Sequence, residues 1–196
     1  MHSFFINLER RKDRRAEFES QAMRMGIEVE RFRAIEHKIP AIGCLMSHLS
    51  VLKLARERNY ERVCVYEDDF EFLVSKEEFD ATLEAIPADF DVVMIGWYIF
   101  ESVPYNDIFA KVLHATTTSG YIVNRKFYDT LIDAFETGLS SFISNIHVWN
   151  VLSLYSADQC WVRIQPTAKW LHTVKRIGKQ RAGFSDLVGG HVAYDY

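Results

Sequence analysis

Three consecutive carboxylates, Glu67, Asp68 and Asp69, close the short apolar run 62–66. Converging carboxylates supply oxygen ligands for a hard divalent cation such as Mg or Mn, which keeps positions free for substrate phosphates. A solvated acidic loop begins the same way, and residue types alone leave both readings open. Position gives the triplet its interest. The run is apolar, with β-branched Val63 and Val65, and describes a strand buried on both faces, as in a helix-covered parallel sheet. Ligands of open α/β sheets bind beyond the carboxyl ends of strands, where the triplet falls. Strand alternation sends Glu67 and Asp69 to one side and Asp68 to the other.

A second charged group, Arg10, Arg11, Lys12, Arg14 and Arg15 against a single Asp13, precedes a helical pattern. Cations at a helix N-terminus oppose its dipole unless an anion such as a phosphate is close. Alternatively, the long side chains lie over the surface with their heads in water. Trp97 and Tyr98 follow a strand and suit either stacking on a sugar or base or plugging the core. The sequence Thr116-Thr117-Thr118-Ser119-Gly120 reads as a small polar turn able to approach a ligand closely. His48 sits beside the apolar face of a helix, where a lone histidine is commonly a satisfied structural group. Asp158 reads from its neighbours as a turn residue.

The elements that position these groups alternate. Strand 4–8 leads into a helix over 9–25 with Phe18, Ala22 and Met25 on one face, capped by Gly26. Strand 27–35, helix 41–58 and the acidic strand follow. Ser75 and Glu78 form a capping box for helix 76–86, and Pro87 ends it. Residues 91–96 read as a strand, 104–109 as a loop, and 112–114 and 121–123 as strands around the polar turn. A helix over 126–136 closed by Gly138, a helix over 147–155 and a strand over 160–164 complete the pattern. The expectation is one α/β domain over 1–175, with a Gly-rich tail or lid over 176–196.

At 196 residues the chain is long enough for a proper core, and its net charge of -4 argues against a dedicated nucleic-acid binder. Three cysteines without a CxxC spacing suggest neither a disulfide framework nor a zinc site, and fit a reducing, cytoplasmic setting. No apolar run reaches the length of a membrane span, and Met1 to Phe4 lead straight into a strand, so any membrane association is expected to be peripheral.

Three blocks taken together resemble glycosyltransferase family 25, which includes lipooligosaccharide and collagen galactosyltransferases. They are Ile6-Asn7-Leu8-Glu9-Arg10-Arg11-Lys12-Asp13-Arg14, Gly43-Cys44-Leu45-Met46-Ser47-His48 and Val65-Tyr66-Glu67-Asp68-Asp69. The resemblance is good over roughly the first 70 residues. It continues loosely through Thr118-Ser119-Gly120-Tyr121-Ile122-Val123 and returns at Gly183-Phe184-Ser185-Asp186-Leu187. The short stretch before Gly43 implies that an acceptor-binding insertion is absent.

The resemblance implies a GT-A-like, Rossmann-type fold, a mostly parallel sheet flanked by helices. It also implies a UDP-sugar donor, a Mn or Mg requirement and inversion at the transferred sugar. Glu67, Asp68 and Asp69 match the acidic metal motif, with Asp69 foremost. Asn7, Arg10 and Arg14 match the amino-terminal motif near the donor, and Ser47, His48, Asp68 and Gly120 join them around it. His48 is assigned to orienting the acidic strand end. Asp158, then Asp186, are the candidates for the base that deprotonates the acceptor hydroxyl, on a glycan, glycolipid or protein. A Mg-dependent phosphate-ester hydrolase and a catalytically silent nucleotide-sugar-binding scaffold are the competing readings.

Overall fold

The sheet grows outward from His2–Asn7 (β1), whose residues alternate between two hydrophobic layers. Phe4 and Ile6 face one layer and Phe5 the other, and Val63 and Val65 likewise oppose Cys64 and Tyr66 on Arg62–Glu67 (β3). Apolar residues on both faces require covering helices on both faces. The computed structural model describes residues 1–193, apart from the side chains at 152 and 153. Lys12–Arg24 (α1) and Lys76–Glu84 (α3) cover one side through Phe18, Ala22 and Phe79. Pro40–Glu57 (α2) and Tyr128–Ser144 (α4) cover the other through Leu45, Leu49, Leu131 and Phe135.

The remaining strands are Glu30–Arg33 (β2), Phe70–Phe72 (β4), Val92–Pro104 (β5), Phe109–Asn124 (β6), Trp170–Thr173 (β7) and Gly178–Gln180 (β8). They form an eight-stranded mixed sheet in the order β2-β1-β3-β6-β7-β5-β8-β4. β1 runs parallel to β2 and β3, and β5 parallel to β7 and β8, whereas β6 is antiparallel to β3, β5 and β7. Short helices Val151–Tyr155 (α5) and Ala157–Cys160 (α6) lie beside α4, and Gly183–Ser185 (β9) pairs with Gly190–Val192 (β10) as a hairpin. Among the described residues, no helix is long and apolar enough to cross a membrane.

Several expectations change. Residues 116–120 are no turn: they lie inside β6, which pairs with β5 through register shifts and carries Thr117 at φ +71°. The helix expected to end before Gly138 runs through it to Ser144, and a Cβ at Gly138 would lie 2.0 Å from Cys160 Sγ. That glycine is therefore a contact surface for α6 rather than a cap. Residues 160–164 form helical turns, and the late strand is β7, beyond Pro166. The tail is partly built into the sheet, since β8 pairs with β4 and β5; its last residues, 194–196, lie outside the described residues.

Phe70, directly after the acidic triplet, is fully buried where three glycines leave room for its ring. A Cβ at Gly96, Gly120 or Gly178 would come within 3.0, 2.4 or 2.0 Å of that ring. Gly120→Ala is therefore expected to destabilise the protein by about 1–3 kcal/mol through overpacking. Gly183→Ala, where nothing lies within 4 Å, serves as the near-neutral control. Denaturant melts of the two variants read the difference, and equal stabilities would refute the packing argument.

Candidate active site

A cavity of about 460 Å³ opens beyond the carboxyl ends of β1 and β3. Its wall includes Glu67, Asp68 and Asp69, Arg10 and Arg14, Cys44, Ser47 and His48, and Thr118, Asp158, Gln180 and Asp186. β3 ends at Glu67, and the chain turns through Asp68 and Asp69 before β4. Strand alternation therefore does not apply beyond Glu67, and all three carboxylates reach one cavity rather than splitting between two faces.

Each carboxylate has its own holder. The β1–β3 register sets Ile6 opposite Glu67, which brings Asn7 beside Asp68. Asn7 is buried; its Nδ2 donates to Asp68 Oδ2 at 2.7 Å and to the Arg11 carbonyl at 3.0 Å, while its Oδ1 accepts from Arg31 Nε at 3.0 Å. Arg14, in the first turns of α1, donates Nη1 to Asp68 Oδ1 at 3.0 Å and to Asp69 Oδ2 at 2.9 Å. Gln180 Nε2 also donates to Asp69 Oδ2, at 3.2 Å. Glu67 Oε1 lies 3.1 Å from His48 Nε2 and accepts from the Thr118 hydroxyl. The other His48 ring nitrogen, Nδ1, is 2.9 Å from the Tyr121 hydroxyl.

The charges do not balance. Burial and the negative charge of Glu67 push the Asp69 carboxyl up to about 7, against the pull of Arg14. Burial also raises Asp68, although Arg14 and Asn7 oppose it. For Glu67, burial is outweighed by the His48 and Thr118 hydrogen bonds, which hold its carboxyl below the usual value. Asp69 Oδ1 is buried and has no hydrogen-bond partner among the described residues. An unpartnered carboxylate oxygen in a surplus of buried negative charge is an oxygen-rich seat of the kind a hard divalent cation takes. The residues present thus fit such an ion, with Asp69 and Asp68 to hold it.

The arginines are held by anions rather than lying free over the surface. Arg10 pairs with Glu36 and, at 2.8 Å, with Asp186; Arg11 pairs with Asp13 at 2.9 Å and with Asp186 at 2.5 Å. Those two guanidinium groups outweigh the burial of Asp186 and hold its carboxyl below the usual range. Arg14 also donates to the Phe184 carbonyl at 2.6 Å, so the β9–β10 hairpin rests on the same cluster.

Of the residues singled out from sequence, Arg10, Arg14, Ser47, His48, Glu67, Asp68, Asp69, Asp158 and Asp186 all meet at this cavity. Ser47 is already committed, accepting from the Ile35 amide and donating to the Gly43 carbonyl. Asn7 stands behind the wall as the support of Asp68. Gly120 is not part of the cavity wall; the space beside it is filled by Phe70. Trp97 turns away, its ring 4.3 Å from the Arg176 guanidinium, whereas Tyr98 lines the cavity. Asp158 begins a helix rather than preceding a strand; it accepts from the Thr117 amide at 3.1 Å and the Ser156 hydroxyl at 2.7 Å. Thr118, expected in a turn that approaches a ligand, instead reaches Glu67 from within β6, and Gln180 carries no local signal because it meets Asp69 only through strand pairing distant in sequence.

A mixed α/β sheet with acidic residues at a strand end, opposite arginines from the first helix, is a GT-A-like arrangement. A solved glycosyltransferase involved in glycosylation of the major capsid of PBCV-1 has the same fold, with a TM-score of 0.53 and 11% identity over 88% of this chain and 81% of that one. A197 from STIV gives a TM-score of 0.50 at 12% identity, covering 100% of this chain and 95% of that one. The family model described as glycosyltransferase family 25 (LPS biosynthesis protein) matches residues 40–141, and the chain belongs to that family. Mouse procollagen galactosyltransferase 2 is 30% identical over 122 residues, 48% of this chain; the matched part spans 19% of that protein's length.

The raised Asp69 carboxyl sets a pH dependence. The native state binds this proton more tightly than the unfolded chain, whose ordinary value is 3.8. Its stabilising contribution is present below about pH 4 and is lost as pH rises toward about 7. In chelator, Asp69→Asn is expected to remove that loss and to melt higher than the parent protein at about pH 8. Parallel melting-temperature profiles for the two proteins would refute the assignment.

Proposed function

We propose that this protein is an inverting, metal-dependent glycosyltransferase that moves a hexose, galactose or glucose, from a UDP-sugar to a hydroxyl of a glycan, glycolipid or protein. The observation that carries the reading is the acidic triplet at the end of β3, converging with Arg10 and Arg14 on one cavity in a family 25 chain. Carboxylates alone would serve many metal sites. Guanidinium groups on the same wall suit the oxygens of a diphosphate.

Asp69 and Asp68 are the residues to hold Mn or Mg, with Glu67 beside them. The bound cation supplies Lewis-acid stabilisation of the charge that builds on the departing nucleoside diphosphate. Arg14 Nη1 bridges the two aspartates, and Asn7 fixes the angle of Asp68. Arg10, which lines the cavity and pairs with Asp186, is assigned with Arg14 to the donor phosphates.

Inversion requires a base on the acceptor side. Asp158 is preferred over Asp186 for a physical reason. Two guanidinium groups lower the basicity of Asp186, whereas Asp158 is held by an amide and a hydroxyl. Asp158 takes the proton of the acceptor hydroxyl as that oxygen attacks the anomeric carbon. The whole of 1–196 works as one domain in this reading, with the segment after 175 closing the donor side. The protein is assigned to the cytoplasm, with at most peripheral membrane contact.

Thermal stability with a panel of nucleotide sugars, with and without Mn, tests the proposal. A Mn-dependent shift with a UDP-sugar is expected, and Asp69→Ala is expected to remove it and to lower turnover about 100-fold or more. Asp158→Asn is expected to lower transfer about 10²–10⁴-fold while leaving the donor shift intact. Donor binding without transfer or donor hydrolysis would assign a silent scaffold, and absence of any donor shift would refute the reading.

A further inference from the structure

Cys44 and His48 are four residues apart on α2, so their side chains stand one turn apart on the same helix face. This is the spacing by which a helix presents two metal ligands, as the paired histidines of H-E-x-x-H zinc sites do. Glu67 faces the pair from the end of β3. The ligand atoms of Cys44, His48 and Glu67 all lie within 4.8 Å of one another, and all three residues line the cavity. Bonds of about 2.0–2.3 Å around a tetrahedral zinc place its ligand atoms roughly 3.3–3.7 Å apart. His48 Nε2 and Glu67 Oε1, 3.1 Å apart, are already close to that spacing.

The surroundings of His48 fit the same purpose. A metal-bound histidine has its other ring nitrogen held by a hydrogen-bond partner that fixes the ring. Here the buried Tyr121 hydroxyl, 2.9 Å from Nδ1, is that partner, and it leaves Nε2 aimed at Glu67 and the cavity.

We propose that Cys44, His48 and Glu67 form a seat for Zn(II), or a cation of similar softness, with its fourth position open to the cavity. Thiolate and imidazole favour zinc over Mg and Mn, so this seat differs in chemistry from the oxygen site at Asp68 and Asp69. Binding replaces the His48–Glu67 hydrogen bond with bonds to the cation. Cys44 Sγ gives up its proton to water, while His48 binds as the neutral imidazole with its single proton on Nδ1, donated to the Tyr121 hydroxyl oxygen; the thiolate and the Nε2 lone pair bond the metal, with no change of oxidation state.

Cobalt(II) reports on such a seat without any sugar donor, which keeps the test independent of the glycosyltransferase reading. The full chain, freed of metal, is titrated with Co(II). A thiolate-to-cobalt charge-transfer band and the strong visible bands of four-coordinate cobalt are expected, both bleached by added zinc. Cys44→Ser is expected to lose the charge-transfer band, while Cys160→Ser keeps it. Alkylation of Cys44 in the unaltered protein, followed by peptide mass, is expected to slow with zinc, so the test does not depend on the variant's folding. Cobalt binding without the thiolate band, a band that survives in Cys44→Ser, or zinc-independent alkylation of Cys44 would each overturn the proposal.

Discussion

The burial of three neighbouring carboxylates around one guanidinium is the constraint on which the rest of this structure depends. Desolvated charges cost several kcal/mol each unless they are paired and hydrogen-bonded. The fold meets that cost with groups brought from distant places: Arg14 from α1, Asn7 from β1, His48 from α2, Thr118 from β6 and Gln180 from β8. Compensation is incomplete at Asp69, whose Oδ1 has no hydrogen-bond partner among the described residues.

Mechanical support comes from the residue that follows. Phe70 is locked between glycines of β5, β6 and β8, and this anchors the turn that carries Asp68 and Asp69. The same close approach explains why a glycine suited by type to a ligand loop ends up inside the core. Small size at Gly120 serves an aromatic ring of the protein itself.

How much was legible in the sequence follows from the range of the forces involved. The apolar alternation of β1 and β3, the Ser75 cap and the acidic strand end are local patterns, and each was readable. The Ser75 hydroxyl accepts from the Glu78 amide as its spacing suggested. Residues 116–120 misled because polar, small residues resemble a turn, while the long pairing of β5 with β6 overrides local preference. Gly138 misled in the same manner, since a glycine inside a helix looks like a stop until Cys160 is seen packed on it. Within the site, residue types pointed to the acidic and basic groups. Their actual partners did not emerge, because the contacts of Asp186 with Arg10 and Arg11 span about nine-tenths of the chain.

Arg14 ties the acidic strand end directly to the C-terminal hairpin. Its Nη1 holds the aspartates and its Nη2 holds the Phe184 carbonyl of the β9–β10 hairpin. Local opening of the hairpin breaks the second bond, while neutralising Asp69 weakens the first. The free energy of hairpin opening therefore contains a term set by the charge at the strand end, and amide hydrogen exchange along residues 183–192 becomes a remote gauge of what occupies the cavity.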